Sequence, residues 1–422
     1  MKINQLLKKQ GASASTASRK LRTLDKSLKD SALRAMADSL NENSDAILRA
    51  NSVDIKNAKA LGDDFHVIER MILDNDRVTA MVESLYKISD LDDPIGEIIE
   101  SSKLLNGLLL EKVRVPLGVI GVIYESRPNI TVDISALCIK SGNSVILRGG
   151  KEAFTTNSTI TNIIRKSAEN SGLPLDTVQF VSSTDRSLVK QMLNMDQYID
   201  LIIPRGSSDL VNFVAENAKM PAITGGVGVC HTFVDKSADF KKAIDIVVNA
   251  KVQRHTVCNA LDTILIHQEI AKSFVPKLIE KMILNKVELR VDEKTLNYVN
   301  TKSKYVVPAK PGDYGKEFLA LIASVKIVSS IDEAIKHIEK HGSGHSEAII
   351  AENITDSEMF LNIVDAAAVF ANTSTRYNDG GEFGFGAEVA ISTNKLHARG
   401  PMGLKELTSY KWKVRGNGQI RE

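Results

Sequence analysis

Cysteine is scarce in this chain: only Cys138, Cys230 and Cys258 occur among 422 residues, none of them in a CxxC pair. That excludes a disulfide framework and a thiolate metal cluster, and it fits a reducing, cytoplasmic setting. Long apolar runs are missing too. Nothing approaches the roughly 18 consecutive apolar residues of a membrane span, and the basic opening MKINQLLKKQGASAS has no apolar stretch behind it to act as an export signal. Charge nearly cancels, 54 Lys plus Arg against 52 Asp plus Glu. The chain therefore offers no broad electrostatic counterpart to nucleic acid or an anionic bilayer, and a small-molecule ligand is expected. Two phosphate-binding signatures are absent: a GxxxxGK[ST] loop, and a GxGxxG between strand and helix followed by an acidic residue about 20 positions on. In GGVGVC the glycines Gly225, Gly226 and Gly228 have the wrong spacing, so any dinucleotide must be held differently.

What is present is strongly patterned. Hydrophobic residues make up 43% of the chain, enough for a large core divided among two or three domains. Between residues 16 and 87 apolar positions recur at helical spacing, with Leu33, Met36 and Leu40 on one face and Val78, Met81, Leu85 and Ile88 on another. GLLLEKVRVP, residues 107–116, alternates apolar and charged side chains and predicts an exposed or edge strand closed by Pro116. Beyond it, short apolar runs at 119–124, 144–147, 178–181 and 201–203 are each followed by a polar turn and a helical stretch. A second series passes through 232–234, 263–267, 326–328, 348–351 and 368–372. This alternation predicts α/β architecture with two doubly wound parallel sheets and a boundary near residues 225–234. The tail from Asn394 ends in the alternation Tyr410, Trp412, Val414, which predicts a strand returning to the first domain or pairing near residue 112.

Cys258 lies in VQRHTVCNALDT, residues 252–263. Free cysteines are usually buried, and the apolar surroundings of Cys138 and Cys230 fit that reading. Arg254 and His255, close to Cys258 in sequence, would favour a thiolate, so for Cys258 a nucleophile and a buried thiol both stay open. His337, His341 and His345 recur every four residues, but Gly342 and Gly344 end a helix before His345. No carboxylate or cysteine completes a ligand set, and no metal is expected.

Six stretches decide more together than any does alone: GVIGVIYESRPN (118–129), SGNSVILRGGKEA (141–153), PRGSSDL (204–210), VQRHTVCNAL (252–261), AIKHIEKHGSGHSEAI (334–349), and DGGEFGFGAEVAIST with HARGPMGL (379–404). In order, and across most of the chain, they resemble the glutamate-5-semialdehyde dehydrogenase family of the aldehyde dehydrogenase superfamily. The resemblance implies two doubly wound α/β domains plus a small oligomerisation hairpin and tail. It puts an NADP(H)-binding domain at 1–229 with a projecting strand region at 105–117, a catalytic domain containing Cys258 at 230–390, and a tail at 391–422 that returns to the cofactor domain. The activity implied is NADPH-dependent reduction of L-glutamyl 5-phosphate to L-glutamate 5-semialdehyde, the second step of proline synthesis from glutamate.

Site residues follow from the same resemblance. Cys258 is implied as the nucleophile that forms a thioester. Asn129 and the Cys258 backbone N–H are implied as the oxyanion donors; the alternative for Asn129 is a helix N-cap. The glutamate that activates water in hydrolytic relatives falls on Ile223, or on Thr224 after a shift of one residue. Neither is a general base, which argues against an ordinary hydrolytic aldehyde dehydrogenase. Arg148 and Lys151 stand where NAD-specific relatives carry a lysine and an acidic residue, so NADPH is favoured over NADH. Gly206 and Ser207 match a pyrophosphate-side pair at a helix start, and Glu317 matches the nicotinamide-ribose glutamate. Ser126, Arg127, His345, Ser346, Glu347 and Arg376 are implied in substrate binding, with arginine suited to a bidentate anion. A homo-oligomer, dimer or tetramer, associated with glutamate 5-kinase completes the expectation. The rival readings are a hydrolytic NAD(P)-dependent aldehyde dehydrogenase and a catalytically silent scaffold of the same fold.

Overall fold

Helices dominate the first 90 residues because the apolar positions repeat every three or four and the turns between them supply caps. A computed structural model describes residues 3–223, 225, 227–299 and 303–421, the side chain of His66 excepted. Its first helices are Gln5–Leu21, Lys26–Glu42, Ser44–Leu61, Phe65–Met71 and Asn75–Asp90. Asn4 accepts a hydrogen bond from the Leu6 N–H and Asp74 from the Arg77 N–H, each satisfying an open helix start. The predicted faces are the buried ones, Leu33, Met36 and Leu40 on one helix and Val78, Met81, Leu85 and Ile88 on another. Two enclosed lysines add crossed ion pairs: Lys29 meets Asp93 at 2.5 Å, while Lys140 meets Asp30 and donates to the Ser89 carbonyl at 2.7 Å. Buried charges persist only when paired in this way.

The chain divides into two units, Met1–Gly225 with Gly384–Ala390 and Pro401–Glu422, and Gly226–Phe383 with Ile391–Gly400. In the first, a parallel four-stranded sheet has the order Val178–Phe180, Ser144–Gly149, Val119–Tyr124, Leu201–Arg205. The chain winds outward from the strand Val119–Tyr124 in one direction and then returns to its other side. Such a reversal opens a crevice at the carboxyl ends of the strands. Tyr124 stands level with Gly149 and with Arg205, so the turns after all three strands share that edge.

A three-stranded antiparallel sheet in the same unit corrects one expectation. Leu109–Pro116 is its central strand, between Ile98–Lys103 and Thr408–Arg415. Alternating side chains report two unlike faces, and they carry no information about which backbone edges are paired. The neighbour IIESSK was not foreseen because apolar residues occur only at its start and all six side chains are exposed.

The second unit holds a seven-stranded sheet in the order Val306–Pro308, Glu288–Val291, Ile322–Val328, Leu261–His267, Cys230–Val234, Ser346–Ile350, Ala368–Ala371, with every pair parallel. Its central strands are buried along their length and mostly apolar, with the polar residues gathered mainly toward their amino-terminal ends. Glu288–Val291 and Val306–Pro308 escaped the sequence reading: one alternates charge within four residues and the other has only three residues. Among the described residues, no helix is long and apolar enough to cross a membrane.

Candidate active site

In the first unit the implied cofactor residues collect at the carboxyl edge of the four-stranded sheet. Ser126 has a left-handed backbone, φ 54°, a conformation that costs a non-glycine residue free energy. Its N–H and hydroxyl donate to Glu152 Oε1 at 2.7 and 3.2 Å, which fixes the turn. Glu125 reaches the other way: its Oε2 accepts from the Ser207 N–H at 2.7 Å and its Oε1 from the Ser207 hydroxyl at 3.4 Å. Ser207 caps the helix Ser208–Asn217. At Gly206 a Cβ would stand 2.3 Å from Glu125 Oε2, so glycine creates the cradle in which this anion sits. A carboxylate of the chain itself thus lies at the positive helix start that the resemblance assigns to pyrophosphate, and the seat suits an anion.

Arg148 is buried within the strand Ser144–Gly149, with Nη2 donating to the Thr184 carbonyl at 3.2 Å. Burial pulls its guanidinium below the ordinary arginine value. Lys151 opens the turn Lys151–Ala153 and is exposed. Asn129 is the first residue of the helix Asn129–Lys140, and Pro128 takes the cap position without a side-chain bond, so the N-cap alternative for Asn129 falls. Its exposed amide donates through Nδ2 to Asp133 Oδ2 at 3.0 Å, and the amide nitrogen carries a second hydrogen. Arg127 is half-buried just ahead of this helix and Ile223 is buried; Thr224 lies outside the described residues.

The second unit gathers its candidates at the opposite, amino-terminal edge of the seven-stranded sheet. Cys258 precedes the strand Leu261–His267, Gly228 precedes Cys230–Val234, His345 precedes Ser346–Ile350, and Glu317 lies on the approach to Ile322–Val328. Cys258 is half-buried, whereas Cys138 and Cys230 are enclosed and burial pushes both their thiols up, out of the reactive range. A Cβ on Gly228 would lie 1.7 Å from the Cys258 carbonyl oxygen and 2.5 Å from its carbon. The same carbonyl accepts from the Cys230 thiol at 3.2 Å. Gly228 N–H donates to Glu317 Oε1 at 3.1 Å and Val229 N–H to Ser343 Oγ at 2.9 Å.

Asn259, next to the cysteine, is tied to residues 375–378. Its Nδ2 donates to the Asn378 carbonyl at 3.0 Å, and its own carbonyl accepts from Thr375 Oγ1 at 2.8 Å. Arg376 Nε donates to Gln253 Oε1 at 2.8 Å and Nη1 donates to Asn259 Oδ1. Asn378 Nδ2 then donates to Ser346 Oγ, 2.8 Å away, and Ser346 Oγ is 2.8 Å from His345 Nδ1. Cys258, Arg376, Ser346, His345 and Glu317 therefore belong to one connected set.

Glu347 departs from its expected setting. It is fully enclosed, accepts from the His231 N–H at 2.8 Å and pairs with His231 Nδ1 at 3.0 Å, and burial raises its carboxyl above the ordinary value. Behind it, His231 meets His337 edge-on at 5.5 Å, and His337 lies 4.6 Å from His341 on the helix Ile331–His341. Burial, with the neighbouring His231 and His341 adding to it, pushes His337 down to about 3, so it is neutral at pH 7. Among the described residues no group of three or more His, Cys, Asp or Glu could hold a metal ion.

Glu125, Glu152, Gly228, Gln253, Asn259 and Asn378 were missed by sequence reasoning. Glu125 and Glu152 adjoin residues that were singled out, and only their pairing across turns distinguishes them. Gly228 carried a usable signal in the cluster GGVGVC, read above for its phosphate-binding spacing alone.

Comparison with known proteins defines a class first. The model of the aldehyde dehydrogenase family matches residues 5–298. The crystal structure of an acetylating aldehyde dehydrogenase from Geobacillus thermoglucosidasius matches with a TM-score of 0.71 over 99% of this chain and 98% of that one; at 15% identity it shows the fold alone. Nearer relatives narrow the class. A gamma-glutamyl phosphate reductase from Dehalococcoides mccartyi is 51% identical over 409 residues, 97% of this chain and 96% of its own length. One from Clostridium tetani is 49% identical over 425 residues, 99% of both chains. The crystal structure of gamma-glutamyl phosphate reductase from Thermotoga maritima has a TM-score of 0.96 at 43% identity, covering 99% of this chain and 100% of that one. The chain belongs to the aldehyde dehydrogenase family, in its gamma-glutamyl phosphate reductase branch.

Proposed function

We propose that this chain reduces L-glutamyl 5-phosphate to L-glutamate 5-semialdehyde and phosphate with NADPH, through a thioester on Cys258, in the second step of proline formation from glutamate. The observation that carries this reading is that Cys258 is half-buried where Cys138 and Cys230 are enclosed, on a loop whose carbonyl accepts from the Cys230 thiol and packs where a side chain at Gly228 would be. The Cys258 thiolate attacks the acyl carbon, the carbon–oxygen bond to phosphate breaks, and phosphate leaves. Bound NADPH supplies hydride to the thioester carbon. The carbon–sulfur bond then breaks, the aldehyde departs, and the thiolate is restored. Charge that develops on the carbonyl oxygen is met by the Cys258 N–H, the resemblance assigning the Asn129 amide the same role, and loss of one such donor typically costs about 3 to 4 kcal/mol. Ile223, buried and without a titratable group, speaks against the hydrolytic reading.

Phosphate-dependent reduction of NADP+ by glutamate semialdehyde is the test. Equal rates with and without phosphate or arsenate would defeat the proposal.

Within this reading, the exposed Lys151 meets the 2′-phosphate with Arg148 behind it, Gly206 and Ser207 hold pyrophosphate, and Glu317 holds the nicotinamide ribose. Of the residues assigned to the substrate, Arg127 is half-buried and is the receptor proposed for an anionic end; His345, Ser346 and Glu347 are all enclosed and shape their loop, through Asn378 and His231. Seating pyrophosphate requires Glu125 to leave the Ser207 N–H, because two anions cannot share one helix start. Glu125→Gln keeps a neutral acceptor there and removes the repulsion. It is expected to tighten NADP+ binding by about 0.5 to 1 kcal/mol, roughly two- to fivefold, as read by calorimetric titration; unchanged or weaker binding would count against it.

Exposed Ile98, Ile99, Tyr410, Trp412 and Val414 on the three-stranded sheet support assembly into a homo-oligomer, dimer or tetramer. The lability of an acyl phosphate in water supports its direct transfer from glutamate 5-kinase, and the scarcity of cysteine supports a cytoplasmic location.

A further inference from the structure

We infer that Arg376 is the positioning cation that keeps Cys258 a thiolate, rather than a receptor for the substrate's carboxylate; the inference rests on the Cys258 chemistry proposed above. Its guanidinium is bound to two residues of the cysteine loop, Gln253 through Nε at 2.8 Å and Asn259 through Nη1. These acceptors bracket Cys258 in sequence, one five residues before it and one immediately after. Asn259 also ties back to the Arg376 carbonyl at 3.4 Å and the Asn378 carbonyl at 3.0 Å. The arginine and the cysteine loop are therefore held as one piece. A guanidinium matches a carboxylate with two adjacent N–H groups, and here both such edges of Arg376 already touch a neighbour.

Electrostatics agrees with this placement. Arg376 is half-buried, which with the neighbouring Arg254 weakens its hold on the proton, while Asp379, then Cys258 and Glu382, act in the opposite direction, as attractive charges do. Cys230 also feels the charge of Cys258, but its own thiol is held protonated by burial.

Alkylation of Cys258 by iodoacetamide in the full chain, without substrate or cofactor, followed from pH 5 to 10 with the modified peptide identified by mass, tests the inference. In Arg376→Gln the midpoint is expected to rise by about one unit, the scale on which loss of a neighbouring opposite charge moves an acid. In Arg376→Lys, where charge remains and the fork is lost, most of the wild-type midpoint is expected to survive. An unchanged midpoint in Arg376→Gln overturns the inference. A rise in Arg376→Lys equal to that in Arg376→Gln also overturns it, because loop packing rather than charge would then be the cause. Should Arg376→Gln not fold, Gln253→Glu sets a carboxylate on Arg376 Nε and is expected to raise the same midpoint; no rise overturns the inference. Turnover is measured separately, so a wild-type enzyme without phosphate-dependent activity would defeat the proposed reaction and leave the alkylation result to stand or fall alone.

Discussion

Cys258→Ala is expected to lower phosphate-dependent turnover by a factor on the order of 10⁴ or more while leaving NADP+ affinity within about twofold. The size follows from what the thiol does: it splits one difficult displacement into two easier steps, and losses on that scale are typical when a nucleophile is removed. The split between turnover and affinity follows from the chain. Gly206, Ser207, Lys151 and Arg148 belong to the first unit and Cys258 to the second; Glu317 shares the second unit but is linked to the Gly228 backbone N–H, and truncating the thiol to a methyl group leaves that backbone in place. Cys230 cannot take over. It is enclosed, its thiol is pushed far above the ordinary value, and its hydrogen is given to the Cys258 carbonyl. Steady-state rates with glutamate semialdehyde, phosphate and NADP+, beside a titration of NADP+ binding, check both halves. Turnover within tenfold of wild type would remove Cys258 from the mechanism.

How much of this could be read from sequence depends on the range of the interaction concerned. The buried parallel strands were legible because they lie in core on both faces and read as apolar runs: Val119–Tyr124 was located residue for residue, and Leu261–His267 within two. Strands with exposed or very short segments, such as Ile98–Lys103 and Val306–Pro308, left no such trace. Among site residues, Cys258, Arg376, His345 and Ser346 were named from motifs, and the structure joins them through Asn259 and Asn378. What no motif carried was the pairing itself. Glu125 reaches 82 residues along the chain to Ser207, and Arg376 reaches 123 residues back to Gln253. A single sequence gives no measure of contacts at such separations. The edge of the sheet was also illegible: α/β sites are expected at carboxyl ends of strands, yet the cysteine loop sits at the amino-terminal edge, where residues 228, 258 and 345 each precede their strands.

Gly228→Ala is expected to cost about 10² in turnover with only a modest loss of stability, and it isolates the role of loop position. Gly228 does not owe its place to a left-handed backbone, since its φ is outside the range that disfavours side chains. Glycine is needed there because the Cys258 backbone passes where a side chain would be: an added Cβ would meet the carbonyl oxygen at 1.7 Å and the carbonyl carbon at 2.5 Å. These are backbone atoms, so no rotamer change relieves the overlap, and the cysteine loop must move. Overpacking of this kind costs about 1 to 3 kcal/mol of stability. A shift of about 1 Å at a reacting group is sufficient for a hundredfold loss of rate. Gly228 N–H also donates to Glu317, so the same displacement disturbs the residue proposed to hold the nicotinamide ribose and should raise the KM for NADP+. Gly312→Ala provides the comparison, because a Cβ there meets nothing within 4 Å and both rate and melting temperature should remain near wild type. If Gly228→Ala keeps turnover within twofold, close packing against Gly228 is not what positions Cys258.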